Sequence, residues 1–311
     1  PSLSMETIRK LLIPIPPLKE QKCISLKLSE ALPLVEKYSK VQEEQNQLNV
    51  EIQYLLKKSI LQEAIQGKLV PQIAEEGTAQ ELLEQIKTEK EKLVKDGKLK
   101  KSALTDSVIF KGDDNKYYEQ VGKSDKEITE EIAFDLPNGW SWCRLKDICS
   151  IFTGATFKKE ETVTTKEGVR ILRGGNISPF ELRIKDDDIF LTKDKVKEDI
   201  ILKENDILTP AVTSLENIGK MVRVNSDMPN TTVGGFVFII RLYLKNQWLS
   251  KYILYLLSSP FMIDFMKSIT NKSGQAFYNI GKERLSMALL PIPPLTEQYR
   301  IVTQIEKLFE Q

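Results

Sequence analysis

The chain has 311 residues, 41% hydrophobic and 29% charged, with a formal net charge of +1. That balance fits a soluble protein of about two structural units, and no apolar run approaches the ~20 residues of a membrane helix. Histidine is absent altogether, which removes Ser-His-Asp and Cys-His catalysis, the His-Glu zinc motifs and most zinc chemistry. A carboxylate-only or lysine-based enzyme stays open. The first residue is Pro1 and no secretory signal precedes it, so the chain reads as a fragment or a processed product. Cys23, Cys143 and Cys149 form an odd set without metal-type spacing, which predicts reduced thiols and a cytoplasmic protein.

In chain order, the first feature is a phrase that returns. Residues 14–21 read PIPPLKEQ and residues 291–298 read PIPPLTEQ. The flanks match in type: Glu6 with Glu283, Ile8 with Leu285, Leu12 with Leu289, Ile24 with Ile301, and Leu28 with Ile305. The spacing is far too long for a solenoid, so one large module lies between two copies of a junction. Pro14, Pro16 and Pro17 cannot donate backbone hydrogen bonds and favour extended backbone. Each copy therefore predicts a stiff strap leading into a helix.

Residues 19–66 form a long helical candidate. Ile24, Leu28, Leu32, Val35, Tyr38, Leu48, Ile52, Leu55, Leu56, Ile60 and Leu61 recur at three-and-four spacing. Gln42 and Gln45 interrupt the stripe, and Pro33 is expected to kink or split the helix. At ~1.5 Å per residue it would be about 70 Å long, so its stripe needs a partner helix. A second copy of the same element is the simplest partner, which allows a self-dimer through the long helices. Gly67 is a good terminating residue, in the phrase SILQEAIQGKLVPQ. A shorter helix is predicted at about 78–96, and the lysine-rich residues 98–135 read as a polar linker.

DLPNGWSW at 135–142 opens a new domain with turn chemistry. Strand-like pieces follow at 169–172, 188–191, 206–211, 220–224 and 237–244, then a helix at about 248–268. Mixed strands followed by a helix predict an α+β fold. The whole chain then reads as a globular mixed-strand domain joined to long coiled-coil-like helices.

Several long phrases together resemble the specificity subunit of type I restriction–modification systems. They are SILQEAIQGKLVPQ (59–72), LLEQIKTEKEKLVKDGKLKK (82–101), FDLPNGWSWCRLKDI (134–148), and the two PIPPL-x-EQ junctions. TGATF (153–157), RILRGGNI (170–177), NDIL (205–208) and SGQAFYNIGKERLSMALLPIPPL (273–295) add to them. The resemblance covers essentially the whole chain. It implies two target recognition domains at the ends of two long antiparallel helices, each domain reading one half of a split sequence in double-stranded DNA. It also implies docking of methyltransferase (M) subunits and restriction/motor (R) subunits, with no catalysis and no cofactor in this chain. On that pattern, residues 1–18 are the tail of a first recognition domain and 19–67 a long conserved spacer helix. Residues 68–135 are a short helix and polar linker, 136–295 a complete target recognition domain, and 296–311 the start of a distal conserved helix.

The residues themselves give modest support for DNA contact. Between 137 and 295 there are 22 Lys and Arg against 17 Asp and Glu. Base edges are read by Arg, Asn, Gln, Ser and Thr, while lysine anchors phosphates. Five turn-rich loops supply such groups. The candidates are Thr156, Lys158 and Lys159; Arg173 and Asn176; Thr213, Ser214 and Lys220; Thr231 and Thr232; and Lys272, Ser273 and Gln275. Each loop could equally be an ordinary polar surface turn. Gly174-Gly175 lacks nucleotide-binding spacing, and Asp186, Asp187 and Asp188 read as a solvated turn before a strand rather than a metal site. A DNA-sequence reader and methyltransferase scaffold is the first reading. A helical protein–protein adaptor with a protein-binding domain is the alternative, and a carboxylate nuclease is the third.

Overall fold

The structure is a computed structural model that describes residues 5–163, 167–273 and 276–310. Two units separate at residue 56, within the long helix: residues 1–56 and 57–311.

The first unit holds a short helix (Met5–Arg9), the proline strap and most of the helix Leu18–Ile65. The helix runs through Pro33 without a break, so the expected split does not occur. Pro33 removes one N–H from the ladder, a loss that water can make good on a helix this exposed. Almost every residue of this unit is exposed, including Leu28, Leu32, Val35, Tyr38, Leu48 and Ile52.

The second unit carries the core. Ile60, Leu61, Ala64 and Ile65 bury the end of the long helix, which closes at Gly67. The Lys68 N–H donates to the Glu63 carbonyl (3.0 Å) and the Gly67 N–H to that of Ala64 (3.2 Å). This double bond pattern needs positive φ at residue 67, here +69°. A Cβ there would also lie 2.4 Å from Pro137, so glycine is required by packing as well as by φ. Helix Ala79–Lys95 starts on Thr78, whose Oγ1 accepts from the Glu81 N–H, and buries Ala79, Leu82 and Ile86 on the same core.

Residues 98–135 are not a linker. They contain an antiparallel sheet of Ser107–Lys111, Tyr117–Val121 and Ser124–Glu127. Its apolar anchors are few, which is why composition reads as linker, but buried ion pairs fasten it. The Arg144 guanidinium donates to both oxygens of Glu119 (3.1 and 2.7 Å), to Glu131 and to the Met287 carbonyl. Arg144 and Glu119 are both buried, and the Arg144 fork holds the Glu119 carboxyl below its ordinary range. Ser107 Oγ donates to Asp147, and buried Lys90 pairs with Asp106. Ile128, Trp142 and Leu289 form a small core under the sheet.

The remaining residues fold as short strands in several small sheets, with helices sharing their core. An antiparallel sheet runs Val222–Arg223, Ile207–Pro210, Val237–Leu242, Cys149–Thr153. The central strand Val237–Leu242 is buried except for Arg241, whose guanidinium is held by both oxygens of Asp206 (2.7 and 2.6 Å). A second sheet runs Thr231–Val233, Val169–Leu172, Ile189–Leu191, Thr162–Val163, its first pair parallel. The expected single helix over 248–268 is two helices, Gln247–Leu257 and Pro260–Ser268. Pro260 cannot continue the first and opens the second, capped by Ser259 Oγ. Helix Leu295–Phe309 packs on Gln247–Leu257 through Ile301, Val302 and Ile305.

Candidate nucleic-acid interface

Strand ends, not strand faces, bring the candidate loops together. The Ala155 N–H donates to the Val233 carbonyl (2.8 Å), which ties the TGATF loop to the end of strand Thr231–Val233. A Cβ at Gly154 would lie 1.8 Å from that carbonyl, so only glycine permits the approach. The chain then turns through Gly234, Gly235 and Phe236, with Thr156 Oγ1 against Gly235. The Ala211 N–H donates to the Phe236 carbonyl (2.8 Å), and the Ala211 carbonyl accepts from Ile280 (2.9 Å). Strand Val212–Thr213 pairs with Phe277–Ile280, which pairs with Thr270–Ser273. Gly174 lies against Pro210. Segments 153–157, 173–175, 210–214, 234–236, 270–273 and 277–280 therefore adjoin at one end of the sheets.

Their side chains differ in what they can offer. Thr156, Lys158, Lys159, Lys272 and Ser273 are exposed. Arg173 is half exposed, with Asp187 3.7 Å away. Ser214 Oγ accepts from Asn217 Nδ2 (2.9 Å) and is half-buried. A shelf of hydroxyls and cations can hold phosphates and meet base edges.

Residues 137–311 match the family described as "Type I restriction modification DNA specificity domain". The chain belongs to that family. It is 32% identical over 273 residues to the EcoAI specificity subunit of a type I restriction enzyme from Escherichia coli, covering 82% of this chain and 39% of that protein. It is 26% identical over 258 residues to the EcoEI specificity subunit from the same species, covering 82% and 40%. The chain thus spans about two fifths of the length of these relatives. A chain from a solved type I R-M system, described for its complex assembly and conformational transition, aligns over 100% of this chain and 57% of its own length. The TM-score is 0.51 and the identity 19%, which is a likeness of fold.

Four of the sequence-derived site residues of this specificity domain need correction. Asn176 is buried, and its side chain is used up inside the protein: Oδ1 accepts from the Arg173 N–H, and Nδ2 donates to the Arg183 carbonyl and Asp188. Thr231 and Thr232 are buried in a paired strand, with Thr232 Oγ1 donating to the Ile200 carbonyl (2.5 Å). Thr213 is buried in its strand, leaving Ser214 as the group that reaches the surface of that turn. Lys220 is a different case: it is half-buried, and its N–H donates to the Asn217 carbonyl (3.2 Å) in the turn that follows Ser214. Gln275 lies outside the described residues.

Asp188 is not part of a solvated turn. Burial would raise its pKa, but the Lys185 N–H, Asn176 and Arg170 outweigh burial and hold the carboxyl below its ordinary range. Among the described residues, no cluster of cysteine and carboxylate side chains is placed to hold a metal ion. Among the same residues, no helix is long and apolar enough to cross a membrane. Cys23, Cys143 and Cys149 are all free thiols. Sequence reasoning missed Phe236, which stands exposed on the shelf beside Ala211. The Gly-Gly-Phe turn after a β-branched strand was its only signal.

Proposed function

We propose that this specificity domain reads one half of a bipartite double-stranded DNA target and carries no catalysis of its own. In this reading, the shelf loops face the DNA and the helices tie the domain to methyltransferase subunits and, through them, restriction/motor subunits in the cytoplasm. The observation that carries it is the convergence of five loops at one sheet end, bearing Thr156, Lys158, Lys159, Arg173, Ser214, Lys272 and Ser273. Membership in a DNA specificity family and the names of the two relatives favour this over the protein-binding adaptor. The exposed apolar side chains of the long helix support pairing with a second long helix, in a second copy of the chain.

Selection from a random duplex pool, with and without the methyltransferase subunit, tests the reading. The expected result is enrichment of a short sequence; no enrichment in either arm would sink it. Magnesium-dependent cleavage by the purified chain would show a nuclease instead. Within the enriched site, Arg173→Ala should relax preference at one base position, while Lys158→Ala should weaken all sequences alike and flatten the salt dependence. Analytical ultracentrifugation tests the pairing: a monomer at every concentration removes the self-dimer.

A further inference from the structure

Phe236 and Phe277 are the two most exposed large apolar side chains in residues 57–310, at 74% and 56%. A soluble domain with an ample core has no folding reason to present a phenylalanine this way. Isolated exposed apolar residues are common and need no explanation. These two are not isolated. The Phe236 carbonyl takes the Ala211 N–H, and the Ala211 carbonyl takes the N–H of Ile280, on the strand that begins at Phe277. Phe236 therefore belongs to the shelf described above, and Phe277 stands three residues along the strand from the Ile280 contact.

The backbone under Phe236 is fixed on every side. The Val237 N–H closes a turn onto the Gly234 carbonyl (3.0 Å), and the Gly234 N–H donates to Leu172 (2.8 Å). The strands on either side, Thr231–Val233 and Val237–Leu242, are buried. A mobile loop could fold its ring back into the protein; this one is held outward by its frame. The Thr156 hydroxyl lies against the neighbouring Gly235, and the chain after Thr156 goes on to the exposed Lys158 and Lys159.

We propose that Phe236 is a stacking wedge: its ring enters the base stack at one step of the half-site. The proposal rests on the DNA-reading function above and adds a residue and a deformation to it. An apolar wedge partly unstacks one step and kinks the duplex, while adjacent cations hold the phosphates. A ring reads no hydrogen-bond pattern, so its contribution to sequence choice comes through how readily that step unstacks.

The test uses the full chain with its methyltransferase subunit and a duplex enriched from the random pool. Each adenine of the half-site is replaced in turn by 2-aminopurine, and each cytosine by pyrrolocytosine. The expected result is a severalfold fluorescence rise on binding at one step. Phe236→Ala should abolish that rise and weaken binding about tenfold, in the range of one aromatic–base stack. Phe236→Trp should restore both, and thermal unfolding of both variants should match the wild type because the ring is outside the core. Specific binding with no rise at any step, or an equal rise with Phe236→Ala, overturns the wedge and leaves the DNA-reading function standing. Unchanged DNA binding with weakened methyltransferase association would mark the ring as a protein contact and also overturn it. Failure of the wild type to enrich any sequence removes both.

Discussion

The two copies of PIPPL-x-EQ have the same local geometry in opposite surroundings. In residues 14–21, Gln21 Nε2 donates to the Pro16 carbonyl (2.7 Å) and the Gln21 N–H to Pro17 (3.0 Å). In residues 291–298, Gln298 Nε2 donates to Pro293 (2.9 Å) and its N–H to Pro294 (3.0 Å). The octapeptide thus folds its own strap and starts its own helix. Yet Glu20 is exposed, whereas Glu297 is 2% exposed. The Glu297 carboxylate accepts from Trp140 Nε1 (2.9 Å) and Gln72 Nε2 (2.8 Å), and the Tyr252 hydroxyl donates to the Pro291 carbonyl. The second copy is a keystone between three distant parts of the chain. The first has the same shape and none of those neighbours in its own unit.

The largest expected contrast is at the glutamates. Glu297→Ala leaves two donors, the Trp140 indole and the Gln72 carboxamide, without their acceptor, and should cost about 3 kcal/mol in urea denaturation. Glu20→Ala should change stability by less than about 0.5 kcal/mol. Equal effects would mean that the burial of Glu297 contributes nothing. Next is Arg300, whose guanidinium grips both oxygens of Glu76 (2.8 and 2.6 Å) and the Pro71 carbonyl. Its counterpart 277 residues earlier is Cys23. Arg300→Ala should cost about 2 kcal/mol, and Cys23→Ala close to nothing. Smaller again is the glutamine pair: Gln298→Ala should cost about 1 kcal/mol, since its Oε1 is buried without a partner and offsets part of the gain, and Gln21→Ala less.

A pH contrast refines the first prediction. Burial raises the Glu297 pKa, and the Trp140 and Gln72 hydrogen bonds only partly offset it. The folded state therefore favours the protonated acid. Its contribution to stability is fully present below the ordinary carboxylate value of 4.5 and is lost as pH rises through the raised folded value. Relative to Glu297→Gln, the wild type should gain stability as the pH falls from neutrality toward 4.5; a constant difference across that window would contradict the raised pKa. The smallest effect is chemical. In the native chain a thiol reagent should modify Cys23 and spare Cys143 and Cys149, which are buried with their thiol pKa values pushed up by desolvation. Loss of Cys23 labelling on assembly with a partner would show that the first junction acquires neighbours there. Unchanged labelling would leave it exposed in the complex as well.

How much of this was readable in advance varies by residue. Periodicity and end signals located the long helix, the helix Ala79–Lys95 and the strand Val169–Leu172, because each depends on neighbours in sequence. The sheet over 107–127 was hidden, because it is fastened by Arg144, Asp147 and Lys90 rather than by an apolar stripe. Most of the candidate loops were legible as loops, but Asn176 and the strand residue Thr232 look identical to surface polar residues until their partners are in place.

The sequence by itself determined the proline straps, the end of the long helix at Gly67 and the family, since these follow from local conformational preference and from long specific phrases. Only the tertiary structure decided which copy of the strap is buried, which loop residues face outward and where Phe236 stands. Those outcomes depend on contacts between residues far apart in sequence, such as Trp140 with Glu297 and Ala211 with Phe236, and no local pattern encodes them.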